Sequence, residues 1–190
     1  MSKQYSLNIQ SDVPLASLTT IKLGGPAQHF VRCTTTEEIK EALQIAESNG
    51  WPVHILGGGS NTIFSDQGFR GLVIYVALGG IQKENEETLT VQAGEVWDEF
   101  VQRCIAEGLA GVECLSGIPG SVGATPMQNV GAYGQEVAET VTAVQAIDRQ
   151  TNALQTFSNE ECRFQYRSSR FKQKDAGRYV ITTEIGRAHV

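Results

Sequence analysis

Gly57, Gly58 and Gly59 stand in an unbroken row after the apolar run VHIL (53–56), and Ser60 and Asn61 follow them. Glycine lets the chain turn with positive φ and lets backbone N–H groups approach a ligand closely. Successive N–H groups in such a turn form a nest for an anion such as a pyrophosphate, with the Ser60 hydroxyl and Asn61 amide as further donors. The pattern is not a P-loop, because no Lys-Ser/Thr pair follows. Nor is it a dinucleotide fingerprint, because Thr62 stands where the third glycine belongs. From this motif alone, a plain glycine-rich strand-to-strand turn reads as well as an anion site.

A second stretch alters that balance. CLSGIPGSVGATPMQNVGAYG (114–134) has no charged side chain and five glycines, too irregular for a helix or strand and too apolar for a solvated loop. SGIPGSVG (116–123) offers free backbone donors, and MQNVGAYG (127–134) adds amide side chains and a phenol. A large planar heterocycle fits such a wall, since backbone amides read ring nitrogens and carbonyls without charge. Tyr133 reads as a stacking or hydrogen-bonding partner, or equally as an ordinary buried tyrosine.

The third stretch is basic. Arg163, Arg167, Arg170, Lys172, Lys174 and Arg178 face one acid, Asp175, between positions 163 and 178. Such a run is a solvated face, or a site for a carboxylate or diphosphate, where arginine offers a bidentate fork.

The elements that must position these stretches are legible in part. TTTEEIKEALQIAESNG (34–50) predicts a helix: Thr35 and Glu38 fit a capping box, and Ile39, Ala42, Leu43 and Ala46 make one apolar stripe. Gly50 ends it, with Pro52 just beyond. VHIL predicts a short buried strand, GLVIYVA (71–77) another, and TLTVQAG (88–94) an alternating one. EVWDEFVQRCIAEG (95–108) predicts a helix with Trp97, Phe100, Val101, Cys104 and Ile105 on its apolar face and Gly108 at its end. TVTAVQAI (140–147) and ALQTFS (153–158) flank the turn-like DRQTN and predict a hairpin. Ser158 and Glu161 predict the cap of a short helix leading into CRFQYRSSRFK (162–172), and RYVITT (178–183) a last strand. Helices and strands partly alternate and partly segregate, which predicts an α+β fold with two lobes.

Composition bounds the function classes. The 190 residues are 41% hydrophobic and 19% charged, which suits one globular domain or two small ones. A net charge of -6 argues against general nucleic-acid binding, which needs a basic surface. The N-terminus shows no signal-peptide pattern, and no apolar run approaches the roughly 20 residues of a membrane-spanning helix. Cys33, Cys104, Cys114 and Cys162 are widely spaced without a CxxC pair, so reduced buried thiols in a cytoplasm are expected and no metal site. The end, EIGRAHV (184–190), matches one reading frame through a common sequencing adapter, with a genuine C-terminal peptide as the alternative. On the first reading, residues 185–190 are expected to be a non-native tail that packs against nothing in a consistent way.

Taken together, LTTIKLGGPA (18–27), ILGGGSN (55–61), VQAGEVWDEFV (91–101), GLAGVECLSGIPGSVGATPMQNVGAYGQE (108–136) and CRFQYRSSRFK resemble the UDP-N-acetylenolpyruvoylglucosamine reductase (UDP-N-acetylmuramate dehydrogenase) family. The resemblance runs from about Leu18 to Thr183. It implies the α+β, two-lobed FAD-binding fold shared with vanillyl-alcohol oxidase and p-cresol methylhydroxylase. It also implies FAD-binding subdomains at 1–77 and 78–184, with the family's C-terminal substrate domain absent from the chain.

By that resemblance Ile55, Leu56, Gly57, Gly58, Gly59, Ser60 and Asn61 hold the FAD, its pyrophosphate at Gly57–Asn61. Ser116, Gly117, Ile118, Pro119, Gly120, Gly123, Gln128, Asn129, Gly131, Ala132 and Tyr133 line the flavin. Tyr166 matches the family's substrate-binding tyrosine and Arg167 its substrate-binding, catalytic arginine, while Ser168 stands where the family usually reads aspartate. No histidine follows the glycine run, so non-covalent FAD is implied. The implied reaction is a two-step hydride relay. NADPH reduces the flavin, and flavin N5 gives hydride to UDP-N-acetylglucosamine-enolpyruvate. A proton from a donor that in the family belongs to the C-terminal substrate domain then completes UDP-N-acetylmuramate for peptidoglycan precursors, so this chain by itself is expected to be weakly active or inactive. A cytoplasmic enzyme without nucleic-acid, membrane or protein partners is expected. Two alternatives stand beside it: another flavin-dependent oxidoreductase of the same fold, and a non-catalytic FAD-binding module.

Overall fold

The computed structural model describes residues 7–188, and they fall into two compact units, Met1–Ala77 and Leu78–Val190. The first unit is built on a four-stranded sheet. Strand β1 (Gln10–Pro14) pairs antiparallel with β2 (Pro26–Cys33), and helix α1 (Thr36–Asn49) then carries the chain to β3 (Val53–Leu56). Strand β4 (Phe69–Val76) lies between β2 and β3, parallel to both.

Helix α1 forms where the sequence signals place it. The Thr35 hydroxyl accepts from the Glu38 amide at 3.1 Å, and the Glu38 carboxylate accepts from the Thr35 amide at 3.1 Å, completing a capping box. Ile39, Ala42, Leu43 and Ala46 are all buried, and Gly50 closes the helix in the left-handed region at φ 65°. Strand β3 is less buried than its apolar sequence suggests, because it is an edge strand: only Leu56 is fully covered. Leu56 packs with Leu15, Ala27, Phe30, Phe64 and Val73 in the core beside the glycine row.

The second unit carries an antiparallel five-stranded sheet of β5 (Ile81–Lys83), β6 (Thr88–Gln92), β9 (Val141–Asp148), β10 (Leu154–Ser158) and β11 (Tyr179–Arg187), in the order β10-β9-β11-β6-β5. Helix α2 (Trp97–Ala106) follows β6, and a two-stranded ribbon of β7 (Gly131–Ala132) and β8 (Gln135–Glu136) precedes β9. Strands β9 and β10 make the expected hairpin, and α3 (Asn159–Cys162) begins at a complete Ser158–Glu161 capping box. Along α2, Trp97, Val101 and Cys104 are buried, but Ile105 is 52% exposed. At 100° per residue Ile105 lies well to one side of the line from Trp97 to Cys104, so it falls on the rim of the apolar face rather than within it.

The expectation that residues 185–190 pack against nothing fails for those described. Strand β11 continues through Ile185, Gly186 and Arg187, paired with β6 on one side and β9 on the other, and Arg187 meets Glu87 at 2.8 Å. Strand extension needs only backbone donors and acceptors, and both neighbouring strands supply them. His189 and Val190 lie outside the described residues.

Candidate functional site

In the first unit the glycine row leaves β3 as a turn. Gly59 is buried at φ 68°, and a Cβ there would lie 2.0 Å from the Leu18 carbonyl oxygen. Its own carbonyl accepts from Thr20 at 3.1 Å. Glycine at 59 is thus required by the fold itself. Gly58, Ser60 and Asn61, by contrast, are exposed. Among the described residues the Gly58 and Gly59 amides have no protein acceptor, and the row from 57 to 61 contains no carboxylate. Ile55 and Leu56 are strand residues, and Leu56 belongs to the core.

In the second unit the uncharged coil is nailed to its surroundings at several points. The buried Trp97 donates from its indole to the Leu115 carbonyl at 2.9 Å and from its amide to the Gly120 carbonyl at 3.0 Å. Val122 and Gly123 donate to the carbonyls of Glu95 and Ala93, each at 2.9 Å. A Cβ on Gly123 would sit 2.5 Å from that of Ala93, so close packing explains this glycine without any ligand. The Asp98 carboxylate accepts from the Ser116 hydroxyl at 2.9 Å and the Gly117 amide at 2.6 Å, and the Gly117 contact first of all holds its pKa below the usual range. Ile118 and Gly120 remain as coil amides with no protein acceptor among the described residues.

The ribbon after the coil forms one side of a cavity of about 430 Å³, lined by Gly131–Glu136, Glu139, Tyr166 and Arg167. Tyr133, at φ 50°, is 91% exposed rather than buried. Tyr166 and Arg167 occupy the tip of a tight turn whose ends, Gln165 and Ser168, exchange two backbone hydrogen bonds of 3.0 Å. Arg167 is left-handed at φ 52°, its guanidinium 5.8 Å from the Tyr166 ring centre, and both side chains are exposed. A bulky residue held at positive φ is strained, and such strain gathers at functional sites.

The structure therefore brings Ala132, Tyr133, Tyr166 and Arg167 to one cavity, while Ser116–Gly123 and Gln128 do not line it. Asn129 is buried at φ 47°, its amide bonded to protein groups on three segments. The basic run divides. Arg170 meets Asp175 at 2.8 Å and lies over Phe157, and Arg178 meets the fully buried Asp148 at 2.7 Å, depressing the Asp148 pKa. Arg163, Arg167, Lys172 and Lys174 stay exposed. The buried thiols of Cys33 and Cys162 are pushed up to about 12 and that of Cys104 to about 11, all mainly by desolvation. Among the described residues no three His, Cys, Asp or Glu side chains gather as metal ligands.

Sequence reasoning missed Asp98, Glu113 and Gln135. Gln135 donates to Glu113 at 2.8 Å and accepts from the Cys114 amide at 2.9 Å, tying ribbon to coil. Polar side chains that hold loops by long-range bonds leave no periodic signal in sequence.

Comparison with known proteins gives this α+β chain its class, a flavoprotein with a FAD-binding fold. The FAD binding domain family matches residues 27–156, and the chain belongs to that family. It is 50% identical over 170 residues to UDP-N-acetylenolpyruvoylglucosamine reductase of Streptomyces avermitilis, covering 90% of this chain and 46% of that one. The crystal structure of UDP-N-acetylenolpyruvylglucosamine reductase from Thermus caldophilus superposes with a TM-score of 0.79 at 30% identity, over 96% of this chain and 63% of that one. p-Cresol methylhydroxylase shares the fold alone, with a TM-score of 0.62 at 16% identity over 88% of this chain and 36% of that one. The chain spans about half the length of the curated relatives it matches. No helix among the described residues is long and apolar enough to cross a membrane.

Proposed function

We propose that this chain is the FAD-holding part of an NADPH-dependent reductase that acts, in the cytoplasm, on UDP-N-acetylglucosamine-enolpyruvate. The observation that carries the reading is the turn that places Tyr166 and Arg167 beside the glycine-lined ribbon of Tyr133. The likeness to the Streptomyces and Thermus reductases supports it.

The residues suit FAD. An exposed glycine turn free of carboxylates, with amides lacking protein acceptors, is the donor set that a pyrophosphate takes. When bound, FAD supplies hydride acceptance from NADPH and hydride donation at N5. Gly57–Asn61 would hold its diphosphate by backbone dipoles. Residues 1–77 and 78–184 would serve as the two FAD-binding subdomains, and the coil amides of Ile118 and Gly120 would offer donors to the ring.

Arg167 binds the substrate carboxylate and stabilises the negative charge that builds there during reduction of the enolpyruvyl double bond. Tyr166 packs against the substrate and against the Arg167 guanidinium, limiting its rotamers. Ser168 uses its backbone N–H and C=O to close the turn, so the turn does not depend on an aspartate at that position. In a full-length relative, Arg167→Ala at the matching position is expected to lower kcat by about 10²–10³-fold and leave FAD content unchanged, checked by turnover and flavin absorbance in one preparation.

The test begins with the purified chain, its flavin absorbance and an NADPH titration. Bleaching of a bound flavin by NADPH is expected. A chain that takes up no FAD, or whose FAD is indifferent to NADPH, refutes the reading.

A further inference from the structure

We propose that Asn129 is a positioning residue for Arg167: its amide fixes the turn that carries the guanidinium to the ribbon facing it across the cavity. The functional weight of this rests on the reading of Arg167 given above.

Asn129 is 1% exposed and makes three side-chain bonds to three segments. Its Nδ2 donates to Glu136 Oε2 at 2.7 Å, on strand β8, and to the Gln165 carbonyl at 3.1 Å, the first residue of the arginine turn. Its Oδ1 accepts from the Ala138 amide at 3.0 Å, just beyond the ribbon. Both donor hydrogens and one acceptor lone pair are therefore engaged within the protein. A side chain so occupied is poorly suited to reading a flavin edge, and well suited to locking one cavity wall to the other.

The far end of the turn is tied to the same stretch of coil. Ser169 donates from its hydroxyl to the Met127 carbonyl at 2.7 Å, so Met127 and Asn129 grip the Gln165–Ser169 segment from both sides. Among the described residues the hydrogen bond to Arg167 itself is that from the Lys172 ammonium to its carbonyl, at 3.1 Å. The left-handed Arg167 backbone would relax without such restraint, because a long side chain at φ 52° is disfavoured. Asparagine alone meets the requirements at 129. It tolerates φ 47°, offers two donors and an acceptor, and is short enough to reach all three partners. Aspartate lacks the donors and repels Glu136, and glycine keeps the backbone while deleting the bonds.

The experiment uses the chain as it stands, with added FAD, and three variants: Asn129→Gly, Asn129→Asp, and Asn129→Asp combined with Glu136→Gln. Amide exchange at Gln165 and Ser168 is read by NMR beside amides of the β9–β11 ladder, and bound FAD is read by absorbance. In both single variants the Gln165 and Ser168 amides should exchange about tenfold faster, the scale of one lost hydrogen bond, while the ladder is unchanged. FAD content should hold. The double variant restores a donor–acceptor pair between 129 and 136 but sets a carboxylate against the Gln165 carbonyl. It should therefore slow exchange of the Gly131–Glu136 ribbon amides, read in the same spectra, relative to Asn129→Asp and leave the arginine turn fast. That separation is one that a generally structural asparagine would not produce. Parent-like exchange at Gln165 and Ser168 in the single variants overturns the proposal, and so does loss of FAD with an unaltered turn, which would make Asn129 a flavin-lining residue. Should Asn129→Gly fail to fold, the near-isosteric Asn129→Asp decides alone. If even the parent takes up no FAD, the proposed function falls, while the exchange data still judge the Asn129 bracket.

Discussion

Arg167 combines a backbone conformation that disfavours it with a side chain on which the proposed reaction depends. The left-handed region costs a non-glycine residue about 1–2 kcal/mol. Arg167→Gly is expected to raise the unfolding free energy by about 1 kcal/mol, part of the gain being offset by the greater freedom of glycine in the unfolded chain. Chemical denaturation of the two proteins checks it, and a less stable glycine variant would show that the guanidinium 5.8 Å from the Tyr166 ring centre matters to the fold. Glu184 presents the opposite case, a carboxylate that the fold tolerates at a cost. It is fully buried, receives one bond, from the Thr125 hydroxyl at 2.6 Å, and desolvation pushes its pKa up to about 8. Below the ordinary value of 4.5 both folded and unfolded chains hold the proton. As pH rises from there toward about 8 the unfolded chain releases it while the folded chain retains it, so stability falls across that window and levels off above it. Glu184→Gln should flatten this part of the pH–stability curve and raise the melting temperature at pH near 8. An unchanged slope in the glutamine variant would assign the pH dependence to other groups.

At the scale of elements, the glycine coil is held less by its own sequence than by the strand and helix before it. Gly123 packs against Ala93 so closely that a single methyl has no room. Gly123→Ala is therefore expected to destabilise the second unit by about 1–3 kcal/mol, the usual cost of overpacking, and Ala93→Gly in the same chain should return part of it. Thermal unfolding of the two variants and the double checks this, and additive losses would mean the two sites do not touch. What was legible in the sequence follows the same division. Helix α1 announced itself because its cap, stripe and terminal glycine are all local. The β9–β10 hairpin did so because its turn lies between two strands. The apolar spacing of α2 was read correctly at Trp97, Val101 and Cys104 and too broadly at Ile105, since period alone does not reveal how wide a face the rest of the fold will cover. The bonds by which Asp98 and Gln135 tie the coil were invisible because the partners lie 18 to 22 residues away. The continuation of β11 through residue 187 was also unreadable, because backbone pairing does not depend on side-chain pattern.

For the molecule as a whole, charge sets a condition on how an anionic ligand is held. The chain carries a net charge of -6, and the glycine row proposed to meet a diphosphate contains no lysine or arginine. Backbone dipoles act over a few ångströms and are little affected by dissolved ions, whereas the repulsion between a net negative protein and a doubly charged ligand is long-range. Raising the ionic strength from about 0.01 M to about 0.1 M shortens the screening length from about 30 Å to about 10 Å, which removes most of the repulsion and leaves the dipoles intact. FAD affinity is thus expected to stay level or rise modestly over that range, measured by flavin fluorescence at fixed pH. Gly58→Val, at the exposed centre of the row, should abolish retention at either salt concentration while the circular dichroism stays that of the parent. Gly59 is the wrong place for this test, because a side chain there collides with Leu18 whether or not FAD is present. Affinity that falls steeply with salt would show that lysine or arginine side chains, and not the glycine row, hold the diphosphate.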